Sequence, residues 1–248
     1  PLSPICARSP RPSPTLEDSN RLSKDERIRG SGEDRQGRKE AMSKSENSSS
    51  VAARVLVACE FSGVLREAFR ARGVDAVSCD LLPTEIPGPH IQDDVLKHLD
   101  EGWWGMVAHP PCTYLAVSGN RWMHEGGFFE RRERKAKMEA AVEFVKKLWA
   151  APIPRVAIEN PVSRLSTLWR KTNQVVQPWQ LGSPLLKKTC FWIRGFPLLH
   201  HVPTLATPEP RVWREPPSAE RWKNRSRTPP EMAAQIAEQW QPLKVIQQ

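Results

Sequence analysis

Hydrophobic positions in this chain come in short runs separated by polar and turn-forming residues, and the runs are of two kinds. Arg54-Val-Leu-Val-Ala-Cys59 is a brief apolar stretch rich in β-branched residues and predicts a strand. Phe61-Ser62-Gly63 follows as a turn, and Val64 to Arg72 has helical spacing that Gly73 ends as a C-cap. Asp75 to Cys79 predicts a second strand closing at Asp80, and Met106 to Ala108 a weak third. Arg155 to Ile158 and Cys190 to Ile193 predict two more. Phe129 to Trp149 reads as a long amphipathic helix stopped by Pro152 and Pro154, and Pro230 to Trp240 as a last helix with proline in its first turn. Strands alternating with helices imply an α/β fold: a mostly parallel sheet covered by helices on both faces. No internal repeat is visible.

Residues 1–50 break this pattern. Ser, Pro, Arg, Glu and Asp dominate, apolar residues stand singly, and the stretch closes on Ser48-Ser49-Ser50. Such a segment buries too little surface to offset its ordering entropy, so a disordered tail is expected, with a native start at Met42. No run reaches the roughly 18 apolar residues of a membrane span and no signal sequence is seen, so neither a membrane-spanning nor a secreted protein is expected. Five cysteines (Cys6, Cys59, Cys79, Cys112 and Cys190) are widely spread without C-x-x-C spacing. That pattern argues against a disulfide framework or a structural zinc site and suits a reducing cytoplasm. His200-His201 lacks further ligands at metal spacing and reads as structural.

Charge narrows the partner. The chain carries 37 Lys+Arg against 28 Asp+Glu, a net +9. Residues 187–227 alone hold nine basic and three acidic residues, together with Trp192, Trp213 and Trp222. Positive charge interleaved with aromatic rings suits a surface that neutralises phosphates and stacks on bases. Arg121, Lys188, Arg211, Trp213, Arg214, Trp222, Lys223 and Arg225 are the expected nucleic-acid contacts.

In an open α/β sheet, ligands bind beyond the carboxyl ends of the strands. Glu60-Phe-Ser-Gly63 is there a tight turn opening a helix, whose amides are expected to face an anionic ligand. Asp80 ends the next strand, seventeen residues after Gly63, where a carboxylate accepts hydrogen bonds from a ribose diol. Asp93-Asp94-Val95 fits a further strand end or loop. Cys112 follows two prolines that fix the backbone, as a nucleophile requires, and His109 and Arg121 are candidates to influence its thiol. Glu159-Asn160-Pro161 ends another strand, with a carboxylate suited to protonate a ring nitrogen. Lys187-Lys188-Thr189 precedes a strand and suits a substrate oxygen or phosphate.

In this order the set resembles the DNA cytosine-5 methyltransferases, particularly the compact forms of bacteriophages and prophages. Ala58-Cys-Glu-Phe-Ser-Gly63 resembles the family's first motif, the Phe-x-Gly turn at S-adenosylmethionine, without its second and third glycines. Asp80-Leu81 is similar to the pair that binds ribose and adenine, and Asp94-Val95 to the pair at the adenine edge. Pro111-Cys112 matches the Pro-Cys dipeptide of the nucleophile, and Glu159-Asn160 the Glu-Asn-Val motif with Pro161 in place of Val. Gly182-Ser-Pro184 with Lys187 and Thr189 resembles Gly-x-Pro-Gln-x-Arg-x-Arg, the Gln being absent and both arginines replaced. Ser226-Arg-Thr-Pro-Pro230 is similar to the final Asn-x-Val-Pro-Pro motif.

The resemblance implies a Rossmann-like S-adenosylmethionine-dependent methyltransferase fold. A catalytic core spans 51–195, a short basic recognition insert 196–225, and a returning motif and helix 226–248. On this resemblance Cys112, Glu159, Asn160, Lys187 and Thr189 are expected to carry catalysis. Phe61, Ser62, Gly63, Asp80, Leu81, Asp94, Val95, Pro111 and Ser226 hold S-adenosyl-L-methionine, and no metal is implied. The implied reaction flips a cytosine from duplex DNA, adds Cys112 to C6 with Glu159 at the ring nitrogen, and methylates C5. An insert of about thirty residues offers few side chains to base edges, so a context of one or two bases is expected. A monomer in a bacterial cytoplasm is implied. Two other readings remain: a C5-pyrimidine transferase using RNA or another donor, and a catalytically silent DNA-binding relative.

Overall fold

A computed structural model of the chain describes residues 53–119, 127–203, 207–210 and 214–242. All of them belong to one of the two units into which the chain divides, Ser50–Gln248. Residues 1–50, including Met42, and Arg121, Arg211 and Trp213, for which the sequence raises expectations, lie outside the described residues.

The strands are β1 (Arg54–Ala58), β2 (Asp75–Asp80), β3 (His90–Gln92), β4 (Gly105–Ala108), β5 (Val156–Pro161), β6 (Gln174–Val176) and β7 (Thr189–Arg194). They form one sheet in the order β3-β2-β1-β4-β5-β7-β6. The first five are parallel, while β7 runs antiparallel to both β5 and β6. The helices are α1 (Val64–Arg70), α2 (Phe128–Ala150), α3 (Leu165–Leu168), α4 (Arg221–Ser226) and α5 (Pro230–Trp240).

Why the central strands are apolar at every position follows from their burial on two sides. Successive side chains point to opposite faces. Val55, Val57, Val107 and Ala157 therefore face one layer, where Leu65 and Phe69 of α1 meet Met232, Ala233, Ile236 and Ala237 of α5. Leu56, Ala58, Met106, Val156 and Ile158 face the other, covered by Met138, Val142, Val145 and Leu148 of α2. That stripe occupies only the second half of α2; its first turns are largely exposed. Trp240 seats α5 by stacking on Phe196 at 4.9 Å between ring centroids and donating its indole N–H to the Pro197 carbonyl at 2.9 Å.

The structure departs from the sequence reading at the edges. β3 and β6 are three-residue strands without an apolar run, too short to show a period. β5 includes the Glu159-Asn160-Pro161 end as paired strand, past the apolar run that closes at Ile158. Antiparallel β7 supplies partners beyond the end of β4, pairing Glu159 with Phe191, Asn160 with Cys190 and Pro161 with Thr189.

Candidate active site

The strand order reverses between β1 and β4, and the crevice beyond their carboxyl ends is where an open α/β sheet binds ligands. The chain leaves β1 through Cys59, a non-glycine residue in the left-handed region at φ 58°. That conformation costs about 1–2 kcal/mol. It turns Glu60 back under α1. Glu60 Oε1 accepts from the Leu65 amide at 2.7 Å and from Ser62 Oγ at 3.2 Å, and Oε2 accepts from the Arg66 amide at 3.2 Å. Ser62 Oγ accepts in turn from the Val64 amide at 3.3 Å. The first-turn amides expected to face a ligand are thus occupied by the protein's own carboxylate. Burial pushes the Glu60 carboxyl up, while nearby His109 and the helix amides act to lower it.

Gly63 serves the same turn, at φ 76°. A Cβ there would fall 2.6 Å from Arg66 Nη2. The glycine therefore makes room for a buried guanidinium. Arg66 has no solvent exposure and bonds Glu67, Ser78, Thr84 and the Ile86 carbonyl. It fastens the 81–89 loop to α1 and β2.

Asp80 ends β2 with Oδ1 accepting from the Leu82 amide at 2.9 Å, and burial raises its carboxyl. Leu81 beside it is 72% exposed, an apolar side chain next to a half-buried acid. Asp94 caps the 3-10 turn Val95–Lys97 through the Leu96 amide at 3.0 Å. Val95 is packed in the core. Phe61 is nearly buried and meets the Trp222 ring at 5.9 Å between centroids. Trp222, expected at DNA, thus stands over the first turn. Arg227 closes that side with a two-pronged bond to Glu85, at 2.7 and 2.6 Å.

The nucleophile candidate lies in the turn after β4. Cys112 is partly buried, and its carbonyl accepts from the amides of Leu115 and Ala116 at 3.0 and 2.9 Å. Asn160, buried in β5, reaches across and donates Nδ2–H to the Pro110 carbonyl at 3.0 Å. The Glu-Asn pair therefore braces the Pro-Pro-Cys turn directly. Burial first, then the Glu159 charge, raises the Cys112 thiol above its ordinary value, against the pull of Lys187 and Arg225. Burial would also raise the Glu159 carboxyl, yet Lys187 and His109 outweigh it and hold the carboxyl low. The thiol thus lies in the field of the carboxylate, and Lys187 acts on both. His109, a candidate partner of the thiol, instead turns to Glu159, its Nδ1 lying 3.3 Å from Oε2.

Other expected site residues are differently engaged. Thr189 is buried and donates its hydroxyl to the Lys187 carbonyl at 2.9 Å. Ser226 is exposed and donates to the Lys223 carbonyl at 2.8 Å. Pro111, Lys188, Arg214 and Arg225 are exposed, and Lys223 lies over the Trp222 ring. Glu60, Arg66 and His109 are the participants that motif reading does not assign. A serine two residues after Glu60, inside a helix-opening turn, is the signal for the first.

Among the described residues, no group of three or more His, Cys, Asp or Glu is arranged to hold a metal ion, and no helix is long and apolar enough to cross a membrane. The sequence matches no family model. No curated protein is significantly similar to it.

Proposed function

We propose that the protein is a DNA (cytosine-5)-methyltransferase in which Cys112 and Glu159 act on one flipped cytosine. The observation that carries this reading is that Cys112 and Glu159 stand at the ends of neighbouring strands β4 and β5, braced by the Asn160–Pro110 bond, with the thiol inside the field of the carboxylate and Lys187 acting on both from the approach to β7. A mostly parallel sheet with its order reversing at β1 and β4 is compatible with a Rossmann-like methyltransferase fold.

The residues beyond β1 and β2 fit S-adenosylmethionine. Half-buried Asp80 suits a ribose diol, exposed Leu81 offers an apolar platform to a flat base, and the nearly buried Phe61 ring floors the turn. Since Glu60 occupies the α1 amides, those groups are not available to the carboxylate end of such a ligand. When bound, this cofactor supplies an electrophilic methyl group.

The chain's own work is proton management and orientation. In the free protein the proton sits on the Cys112 sulfur while Glu159 is ionised. As the cytosine enters, Glu159 takes the thiol proton and passes it to the ring nitrogen N3, and the sulfur's electron pair forms the bond to C6. Attack and ring protonation are then one coupled event, and no net charge is added to a buried site. Lys187 steadies the anionic character shared by the pair. C5 then takes the methyl group, and the donor leaves as the neutral thioether. The C5 proton passes to solvent water as the C6–sulfur bond breaks, and Glu159 returns the N3 proton to the sulfur, restoring ring and thiol. Exposed Lys188 and Arg225 contribute phosphate contacts at the same rim.

The test is incubation with labelled S-adenosylmethionine and duplex DNA containing 5-fluorocytosine, with single-stranded RNA of the same sequence in parallel. A covalent DNA adduct that maps to Cys112 and is missing in Cys112→Ala is expected. Adduct formation on RNA alone would transfer the chemistry to the RNA reading. No adduct and no label transfer on either polymer would refute the assignment.

A further inference from the structure

The pairing of His109 with Glu159 lies outside every motif the sequence presents. His109 and Glu159 each follow residues that face one another in the sheet, Ala108 of β4 and Ile158 of β5. They therefore stand side by side on one face of neighbouring parallel strands. His109 Nδ1 lies 3.3 Å from Glu159 Oε2, and the two side chains are only 10% and 12% exposed. A carboxylate only accepts, so the imidazole carries its hydrogen on Nδ1 and donates. Glu159 Oε1 is left buried with no partner among the described residues, as is His109 Nε2.

A glutamate's terminal torsion is soft and broadly two-fold, so a carboxylate that must meet a ring nitrogen in its own plane needs something to set that plane. Lys187, reaching the site from the approach to β7, supplies charge without planar direction. Cys112 from the turn after β4 and Cys190 from β7 lie within electrostatic range and do not orient it. Glu60, from the turn after β1, is held by the α1 amides.

Resting on the reading of Glu159 as the group that serves N3, we propose that His109 is its positioning residue: it ties down Oε2, fixes the plane of the carboxylate, and leaves Oε1 as the oxygen that meets the base. The imidazole thereby converts a buried carboxylate with a loose terminal torsion into a directed one.

The experiment compares His109→Leu, which fills the space without donating, with His109→Asn, whose amide donates from close to the Nδ1 position. Steady-state methylation of duplex DNA is measured with the full chain, and the Glu159 side-chain carboxyl is titrated by 13C NMR in ligand-free protein. His109→Leu is expected to lower kcat by about 10- to 100-fold, the size of one lost charge-assisted hydrogen bond, with KM for DNA nearly unchanged. It also moves the Glu159 midpoint upward. His109→Asn is expected to recover most of both. Should the leucine variant not fold, His109→Ala replaces it, with the same expectations. An active wild type whose His109→Leu form keeps its kcat and its Glu159 titration overturns the proposal, as does an asparagine variant no better than leucine. A wild type that forms no Cys112 adduct, yet shows the Glu159 shift in His109→Leu, defeats the functional reading and leaves the positioning contact standing.

Discussion

Arg66 is the residue whose loss the structure prices most clearly. Its guanidinium is wholly buried and has four partners: Glu67 Oε1 at 2.8 Å, Ser78 Oγ at 3.0 Å, Thr84 Oγ1 at 3.1 Å and the Ile86 carbonyl at 2.5 Å. Only Glu67 among these is charged, and it is partly exposed. Arg66→Met would fill similar volume but remove a charged donor shared by four acceptors, leaving the Ile86 carbonyl with Thr84 alone and the Ser78 hydroxyl with His90 alone. No buried charge is left unpaired, so the cost is that of lost hydrogen bonds from a charged donor, about 2–3 kcal/mol. For a folded unit of this size each kcal/mol lowers Tm by about 2–4 °C, so a fall of roughly 4–12 °C is expected. Circular dichroism melts, with urea unfolding as a check on cooperativity, measure it. Arg66→Lys should fall between, because one ammonium cannot span four acceptors. Gly88→Ala should mimic the loss, since its Cβ would fall 2.8 Å from the same Nη2, in a site with no slack. The loop that Arg66 fastens begins beside Leu81, so S-adenosylmethionine affinity should weaken in parallel with stability. An Arg66→Met protein melting within about 3 °C of the wild type would refute the reasoning.

Other consequences are equally direct. Glu159 raises the Cys112 thiol and Lys187 lowers it, so at pH 8 Glu159→Gln should speed iodoacetamide labelling of Cys112 and Lys187→Met should slow it. Peptide mapping reads both rates, and changes in the same direction would contradict the shared site. Asn160→Ala leaves the buried Pro110 carbonyl without its donor, and should cost about 1–3 kcal/mol in urea melts and lower kcat. Burial pushes the Cys79 thiol up to about 11 from 9.0. The folded form holds that proton more tightly, so its contribution is complete below pH 9 and disappears as pH rises toward 11. Cys79→Ala should flatten the stability profile between those values, and an unchanged slope would exclude the assignment.

Legibility in the sequence followed physical visibility. β1, β2, β4, β5 and β7 each carry an apolar stretch, and the helical spacing of α2 and α5 is plain, so their positions agree with the reading to within a few residues. The edge strands β3 and β6 do not, because three residues show no period. Cys112 and Glu159 were traceable as unusual residues at strand ends. Their mutual support was not, since the Asn160–Pro110 bond depends on how far β5 runs, and that is set by β7. The role of Glu60 depends on a left-handed Cys59, a conformation that cysteine does not advertise. Thr189, Ser226 and Val95 show the opposite limit: side chains that fit a motif on paper are engaged by their own backbone or by the core.

The reversal of β7 has a consequence for when the molecule becomes complete. In an all-parallel sheet only residues following strands reach the upper rim, whereas a reversed strand delivers the residues before it. Lys187 is such a residue, and it arrives only when a late segment slots between β5 and β6. A nascent chain would thus hold thiol and carboxylate before it holds their shared counter-charge, and that last insertion is a long-range pairing of the slow kind. Assembly itself would act as a safety catch on the sulfur that the proposed reaction needs.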